Sequence, residues 1–453
     1  MNRKIASIAA SVLVFAFVAP SATGVLARTA HHHGVTAARP AASLPKAPKD
    51  PFAKQDKKYS GQTITYYGGS VGTDHLADVP LVKAFHKSTG IKVKIVEQPS
   101  DSTATLSFLQ NLFTQGSSSI DVTRLDVVWP GTFGRYLVSV KKPLAADAKL
   151  EIKSLLKNDT VGGRLVAMPY QGDFGMLYYR KDLLKKYHIA KPPTTWTQLT
   201  KDAKKIQKGE RKSNKNFYGF VFQGKSYEGL TCNALEWIAS YGGGSFISPK
   251  GKVTVDNAKA KAALKLAQSW VGTISPKGVT SYDEGATQNS FTGGDSAFAR
   301  NWPYMDSPAI LKGTKVQGKV GVAPLPHGAK GKSSATTGGW QIAVSKFSKH
   351  KGAALAFARY YASKVVQVWR ATYAGIVPTM NSVASVKSVK KVQPFLSTVG
   401  KHTQRVVRPS TVLAGNYSKG STDIFQSVNA ILLGSKVSST VANLKSELQS
   451  LHP

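Results

Sequence analysis

Apolar and polar positions change their period several times along the first third of the chain. Short apolar runs predict β-strands over Thr63–Gly68, Lys92–Gln98 and Leu125–Trp129. Where the period lengthens, helices are predicted over Val79–Thr89 and Ser102–Thr114, ended by Gly90 and Gly116, and from Phe133 to Val138. Strands that alternate with helices indicate a mostly parallel α/β sheet, whose ligands bind beyond the carboxyl ends of the strands.

A longer extended segment is predicted from Leu165 to Tyr179, interrupted by one proline and two glycines. Tyr170 and Asp173 lie beside those interruptions, so a ring and a carboxylate stand where backbone can approach a ligand. A short basic helix over Lys181–Tyr187 follows, and then a Pro-Pro-Thr-Thr sequence that begins another helix. On its local pattern the segment equally fits an ordinary strand-to-helix connection of a core.

The rest of the chain adds helices rich in alanine and leucine, over Leu230–Tyr241, Ala258–Val271, Gly352–Ala362 and Val437–Ser450. At 453 residues the chain is long enough for two lobes, each with its own core. Hydrophobic residues make up 42% and aromatic residues 9%, which is ordinary for a globular protein and too much for a disordered one.

Aromatic residues recur together with polar ones at four further strand ends, each beside a glycine or a proline. The clusters run from Asp126 to Phe133, Phe222 to Gly229, Phe298 to Tyr304 and Thr337 to Val344. Ring faces suit the C–H face of a sugar, and carboxylates, amides and arginine hold its hydroxyls. A single tryptophan is usually part of a core, but four such clusters favour a binding site.

The amino terminus has the composition of an export signal. Asn2-Arg3-Lys4 is basic, residues 5–19 are apolar, and Val25-Leu26-Ala27 offers a site with small residues for a peptidase. A membrane anchor is the alternative, but the apolar run is short and Pro20 ends it. No cysteine lies near the cleavage site to accept a lipid, so we expect a periplasmic protein without stable membrane insertion.

Cys232 is the only cysteine, which excludes a disulfide within the chain. Its apolar neighbours indicate a buried small residue rather than a reactive thiol. The triplet His31–His33 lies in a segment rich in alanine, proline and lysine, over residues 28–58, that is typical of a flexible leader. We therefore predict no metal site and no cofactor.

The charge is unusual, with 61 Lys and Arg against 24 Asp and Glu, a net charge of +37. Such an excess is compatible with a polyanionic partner. The lysines are spread along the chain without a nucleic-acid module, so we expect no nucleic acid as partner. Depletion of carboxylates also suits an acidic periplasm, because ion pairs are lost as carboxylates become protonated. We favour this second interpretation.

Enzyme motifs are absent: the sequence has no GxSxG elbow, P-loop or HExxH. Asp173 and Glu228 would suit the paired carboxylates of a glycoside hydrolase, and the positive charge would suit a lyase acting on an acidic polysaccharide. Both carboxylates fit sugar binding as well, and we favour a receptor over an enzyme.

The order of these motifs resembles the extracellular solute-binding proteins of family 1, the sugar receptors of ABC importers. The stretches that carry the resemblance, from about Ser60 onward, are DVVW, MPYQGDFGMLYYRKDLL, PPTTW, FQGKSYEGL, GGDSAFARNWPY, GGWQIAVS, YAGIVPT and RVVRP. Within the family the chain is most similar to the trehalose/maltose-binding branch. The resemblance implies a type II periplasmic-binding-protein fold, in which two discontinuous lobes are joined by hinge strands around a cleft.

By this resemblance we expect chain crossings near residues 168–172, 299–304 and 338–340. The implied domains are a signal peptide (1–27), a leader (28–58), a first lobe (59–168 and 300–340) and a second lobe (169–299 and 341–453). A monomer is expected, which binds a di- or oligosaccharide and delivers it to the permease subunits of an importer.

The resemblance also implies the ligand contacts. They are Asp74, His75, Asp126, Trp129, Tyr170, Asp173, Tyr227, Glu228, Trp302, Gly339, Trp340 and Arg408. Asp126, Asp173 and Glu228 would accept hydrogen bonds from hydroxyls, Trp302 and Trp340 would stack on pyranose rings, and Arg408 would donate to sugar oxygens. One departure from the family pattern is Gln98-Pro-Ser-Asp101, which follows the second strand where a strongly polar or basic contact is expected.

Overall fold

The computed structural model describes residues 44–451, so the predicted signal peptide lies outside the described residues. Within this range the strands are β1 Thr63–Gly68, β2 Lys92–Glu97, β3 Val122–Asp126, β4 Thr160–Val161, β5 Arg164–Leu165, β6 Ala167–Phe174, β7 Met176–Arg180, β8 Tyr218–Val221, β9 Ser296–Asn301, β10 Val320–Ala323, β11 Ser334–Val344 and β12 Gln404–Val406.

The α-helices are α1 Ala53–Asp56, α2 Asp74–Thr89, α3 Ser102–Thr114, α4 Pro130–Phe133, α5 Ala145–Ala148, α6 Lys153–Asn158, α7 Lys181–Lys186, α8 Trp196–Glu210, α9 Glu228–Ser240, α10 Ala258–Trp270, α11 Glu284–Thr292, α12 Pro308–Leu311, α13 Lys351–Ala362, α14 Lys364–Tyr373, α15 Asn381–Ala384, α16 Lys387–Val392, α17 Phe395–Thr398, α18 Ser410–Leu413, α19 Tyr417–Leu432 and α20 Val437–Leu451. Short 3₁₀ segments lie at Lys57–Tyr59, Gly134–Tyr136, Lys277–Ser281, Pro303–Asp306, Gly400–His402 and Ala414–Asn416.

Most predicted elements are confirmed to within a residue or two, and the limits of β1 and α3 agree fully. Local chemistry explains α3, because the Asp101 side chain accepts hydrogen bonds from the amides of Thr103 and Ala104 and so caps the helix. The prediction for the third strand is wrong by three residues. It ends at Asp126, and Trp129 precedes the short helix α4.

Two larger sheets organise the described chain. The first has the order β12-β11-β3-β1-β2, with β6 paired to β11, and the second has the order β10-β7-β9-β8. Strand β1 is parallel to β2 and β3, as predicted, but β11 is antiparallel to β3 and β6, and β7 is antiparallel to β9 and β10. The sheets are therefore mixed rather than mostly parallel.

Strands β6 and β11 pair with each other in the first sheet and adjoin β7 and β10 of the second sheet along the chain. The start of β6 pairs with the end of β11 in the first sheet, and after Phe174 the chain enters β7 of the second sheet. Gly172 is the partner of Gly339, whose φ of 136° no other residue adopts without strain, and the register shifts between Trp340 and Gln341. The crossings predicted near residues 168–172 and 338–340 contain this irregular pair and stay predictions.

The packing differs from three of the predicted boundaries. Strand β10 returns to the second sheet, although 300–340 is predicted in the first lobe. Helices α13 and α14, predicted in the second lobe, share a core with Ile64 of β1 and Phe85 of α2. The end of the predicted flexible leader also packs on them, because Trp369 donates to the carbonyl of Lys46 and Asp56 pairs with Arg359. Other limits of the two lobes stay predictions.

Several carboxyls lie in the interior, where desolvation disfavours their charged form. Glu151 is 5% exposed, and its Oε1 accepts a hydrogen bond of 2.8 Å from Gln367. Burial raises the pKa of Glu151 to about 8, and it raises the pKa values of Asp50 and Asp78 to about 6. Below those values these groups are neutral in the folded state.

This burial predicts a reversed pH dependence of stability. The folded pKa of Glu151 lies above the unfolded value of 4.5. Between pH 4.5 and about pH 8, Glu151 is therefore protonated in the folded state and ionised in the unfolded state. Acidification across that window should therefore increase the free energy of unfolding, and Glu151→Gln should stabilise the protein at pH 8 by on the order of 1–3 kcal/mol. Urea denaturation at pH 8 and pH 5 measures both effects.

Asp182→Asn provides the control, because hydrogen bonding to Arg180 lowers the pKa of Asp182 against the opposing effect of burial. Its contribution to stability is complete above the unfolded value of 3.8 and is lost as the pH falls from there through the lower folded pKa, so the variant should change stability equally at pH 8 and pH 5. A wild-type protein that is less stable at pH 5 than at pH 8 would contradict the prediction.

Candidate functional site

A cleft lies beyond the carboxyl ends of β1 and β3, where parallel strands bring their following loops together. It encloses about 780 Å³, including the part open to solvent. Its lining comes from both sheets: Gly69 and Asp126 follow or end strands of the first, while Glu228 and Trp302 follow strands of the second.

Eight predicted contacts line this cleft: Asp74, Asp126, Asp173, Glu228, Trp302, Gly339, Trp340 and Arg408. They are separated by more than three hundred residues in sequence, and the fold brings them into one cavity. Their roles toward a ligand stay a prediction, and their mutual contacts show which groups are free to serve it.

Arg408 joins two of the acceptors. Its guanidinium donates to Asp126 at 2.5 and 3.0 Å and to Glu228 at 2.8 Å, and all three side chains are almost fully buried. Glu228 also accepts hydrogen bonds from Tyr417 and Ser421 of α19, at 2.5 and 2.7 Å. In this structure the binding capacity of Arg408 is directed at carboxylates of the protein, which the sequence did not indicate.

A second buried ion pair contributes to the lining. Arg124 of β3 pairs with Asp74, and the Arg370 guanidinium approaches Asp74 and Asp78 to 3.8 Å. The Arg124 guanidinium also covers one face of Trp340, 3.5 Å from the ring centre. Only the other face or an edge of Trp340 is thus available to a ligand.

Trp302 is held in a similar way. The guanidinium of Arg300 lies 3.9 Å from its ring centre and is itself paired with Glu236 at 2.6 and 2.8 Å. The indole Nε1 donates to Glu284 at 3.1 Å. Each of the two tryptophans therefore rests on a guanidinium that a buried carboxylate neutralises, which fixes the rings before any ligand arrives.

Two carboxyls of the cleft have an altered proton affinity. Burial raises the pKa of Asp173 to about 8, against a hydrogen bond of 3.0 Å from Gln171 that favours the anion. Burial also raises the pKa of Glu284, opposed by hydrogen bonds from Tyr227 and Trp302. Near neutral pH the Asp173 carboxyl can therefore donate a hydrogen bond as well as accept one.

Four predicted contacts do not line the cleft. His75 lies at its rim, half exposed, with its Nδ1 2.9 Å from Glu97. Trp129 and Tyr170 are 1% exposed and pack on Trp340 and on Tyr361, respectively. Tyr227 is equally buried and donates to Glu284 at 2.6 Å. Trp129 and Tyr227 thus support lining residues from behind, whereas Tyr170 lies in a hydrophobic core with Ile64 of β1, as in the core interpretation of aromatic clusters.

The sequence analysis missed several residues of the lining: Ser70, Gln98, Ser100, Thr105, Arg124, Gln171, Glu284 and Tyr304. The sequence could have indicated Arg124, because it precedes Asp126 by two residues and alternate residues of a strand share a face. No sequence pattern indicates Glu284, since it begins α11 and reaches the cleft only through the packing of that helix. Cys232 also borders the cleft, buried as expected, and burial raises the pKa of its thiol.

Among residues 44–451, no helix combines the length and apolar character needed to cross a membrane. The same range contains no group of three or more His, Cys, Asp or Glu side chains placed to hold a metal ion.

Comparisons with known proteins agree with this architecture. Residues 69–368 match the family model of bacterial extracellular solute-binding proteins. A probable ABC transporter-binding protein of Deinococcus radiodurans is 44% identical over 372 residues, which are 82% of this chain and 89% of the relative.

Solved structures give the same fold. Maltose-bound MalE3 of T. maritima superposes with a TM-score of 0.81 at 34% identity, covering 86% of this chain and all of that one. A solute-binding protein of Thermotoga lettingae bound to α-D-tagatose has a TM-score of 0.76 at 22% identity, over 86% of this chain and all of that one, and so shares the fold alone. The mixed α/β chain with its two-sheet cleft is a non-enzymatic ligand receptor, and it belongs to the bacterial extracellular solute-binding proteins.

Proposed function

We propose that this protein captures a neutral di- or oligosaccharide of the trehalose/maltose type in the cleft between its two sheets and delivers it to the permease subunits of an ABC importer. The observation that carries the proposal is the lining itself. Two tryptophans face a set of carboxyl and amide groups drawn from both sheets. Rings stack on apolar sugar faces and the polar groups bind hydroxyls, so one ligand would engage both sides at once.

The charge of the cleft supports a neutral ligand. Five carboxyls line it (Asp74, Asp126, Asp173, Glu228 and Glu284) against the two guanidiniums of Arg124 and Arg408. Both guanidiniums are already paired with carboxylates. Among the described lining residues, a phosphate or uronate would therefore find no unpaired guanidinium, although the chain as a whole has a net charge of +37.

We also propose that the protein is exported by a cleaved signal peptide and acts in the periplasm. Support comes from the basic and then apolar composition of residues 2–19 and from membership of an extracellular family.

A thermal-shift screen tests the ligand class. Maltose or trehalose at 1 mM should raise the melting temperature, because a ligand of the native state alone stabilises it by mass action. Glucose 6-phosphate and glucuronate should leave it unchanged. A shift with the anionic sugars and none with the neutral ones would overturn the proposed specificity.

Truncation of the tryptophans tests the stacking. Trp302→Ala and Trp340→Ala should each weaken maltose binding by about 1–3 kcal/mol, as expected for a large aromatic contact. Isothermal titration calorimetry measures the change. Trp369→Ala is the matched control, because Trp369 packs in the core of the first sheet and does not line the cleft. Unchanged affinity in both cleft variants would exclude stacking on these rings.

The third test concerns closure. A ligand that contacts both sheets favours the closed arrangement over the open one, so maltose should reduce the radius of gyration in solution scattering. Tryptophan fluorescence should change as well, because Trp302 and Trp340 line the cleft. Saturable binding with neither change would contradict a receptor that closes on its ligand.

A further inference from the structure

The rim of the cleft carries polar contacts between its two sides that involve no ligand. Lys225 Nζ lies 2.8 Å from Asp101 Oδ2, and Ser100 donates to Asp283 at 3.4 Å. The backbone amide of Glu228 donates to Thr103 Oγ1 at 3.2 Å. We call the segment 100–103 together with Lys225, Glu228 and Asp283 the rim clasp.

The two halves of the rim clasp belong to different sheets. Residues 100–103 follow β2 of the first sheet and include the first two residues of α3. Lys225 and Glu228 follow β8 of the second sheet, and Asp283 precedes α11, whose end leads into β9 of the same sheet. Any separation of the two sides that opens the cleft must therefore break these contacts.

Local hydrogen bonds also hold two carboxylates of the rim clasp, Asp101 and Asp283, in position. Asp101 Oδ1 accepts from two amides at the start of α3, which leaves Oδ2 for Lys225. Asp283 is likewise a helix cap, because its Oδ1 accepts from Ala286 while Oδ2 receives Ser100. The pairing with Asp101 raises the pKa of Lys225, chiefly through the hydrogen bond. The Gln98-Pro-Ser-Asp101 sequence, a departure from the family pattern, thus supplies one half of the rim clasp.

We propose that Lys225 and Asp101 are positioning residues that set the affinity for ligand without touching it, by stabilising the closed arrangement of the two sheets. Neither residue lines the cleft. When only the closed arrangement completes the site, the apparent dissociation constant equals the intrinsic one divided by the closed fraction. The rim clasp raises that fraction, so its loss weakens binding to every ligand of the cleft by the same factor.

Two variants test this proposal, each of which removes the charge of one partner of the ion pair. Lys225→Met keeps the apolar stem of the side chain, and Asp101→Asn keeps an oxygen that caps α3. Each should raise the apparent dissociation constant for maltose about two- to fivefold, the range for one partly exposed ion pair. The double variant should be no weaker than either single one, and 1 M NaCl should remove the difference from wild type.

Lys261→Met is the matched control. Lys261 and Asp256 form an ion pair of 2.6 Å with side-chain exposures of 34% and 21%, close to the 37% and 23% of Lys225 and Asp101. That pair lies at the start of α10, within one side of the molecule. The control should bind maltose as wild type does, and Lys225→Arg should restore the affinity that Lys225→Met loses.

The affinity measurement rests on the proposed function, so scattering of the ligand-free protein provides an independent test. Without sugar, Lys225→Met and Asp101→Asn should have a larger radius of gyration than wild type and Lys261→Met. If maltose does not bind the wild type, the proposed sugar specificity is wrong. The radii of gyration of the ligand-free variants then still test whether the rim clasp stabilises the closed arrangement. Equal radii, or equal maltose affinities for all variants at low salt, would overturn the inference.

Discussion

The site depends on one buried arginine. Arg408 holds Asp126 at the end of β3 and Glu228 at the start of α9, and so ties a strand of the first sheet to a helix that follows the second. Three charges removed from water are costly unless geometry and further hydrogen bonds compensate them. Here the guanidinium is bidentate to Asp126, and Tyr417 and Ser421 complete the shell of Glu228. Loss of Arg408 would leave two buried carboxylates without their cation.

The same principle fixes the aromatic surfaces. Arg124 lies against Trp340 and Arg300 against Trp302, and each guanidinium is neutralised by a carboxylate on its far side. Packing of this kind leaves each ring little freedom, so a ligand need not pay the entropy of ordering it. The cleft is therefore largely preformed on each side, and the relative position of the two sides is the remaining variable. The rim clasp acts on that variable.

Charge is distributed unevenly over the molecule. The chain carries 61 basic residues and 24 acidic ones, and five of those carboxyls line a single cleft. Others, such as Asp78, Glu151 and Glu236, are fully enclosed. Basic side chains extend into solvent because their charge stays hydrated there. The buried carboxyls either accept hydrogen bonds from specific donors or are kept neutral by burial. The excess of positive charge therefore characterises the surface and not the binding site.

The sequence by itself determined the family, the fold class and most of the helices and strands, since these follow from local periodicity, capping residues and the order of motifs. It also indicated eight residues of the cleft, because polar and aromatic side chains at strand ends collect at one edge of a sheet. Only the tertiary structure showed that Arg408 is paired with Asp126 and Glu228, that Trp129, Tyr170 and Tyr227 are buried outside the lining, and that Glu284 belongs to it. Such pairings join residues up to 282 positions apart, and no local pattern specifies which buried donor meets which buried acceptor. Close packing of the two sheets decides that.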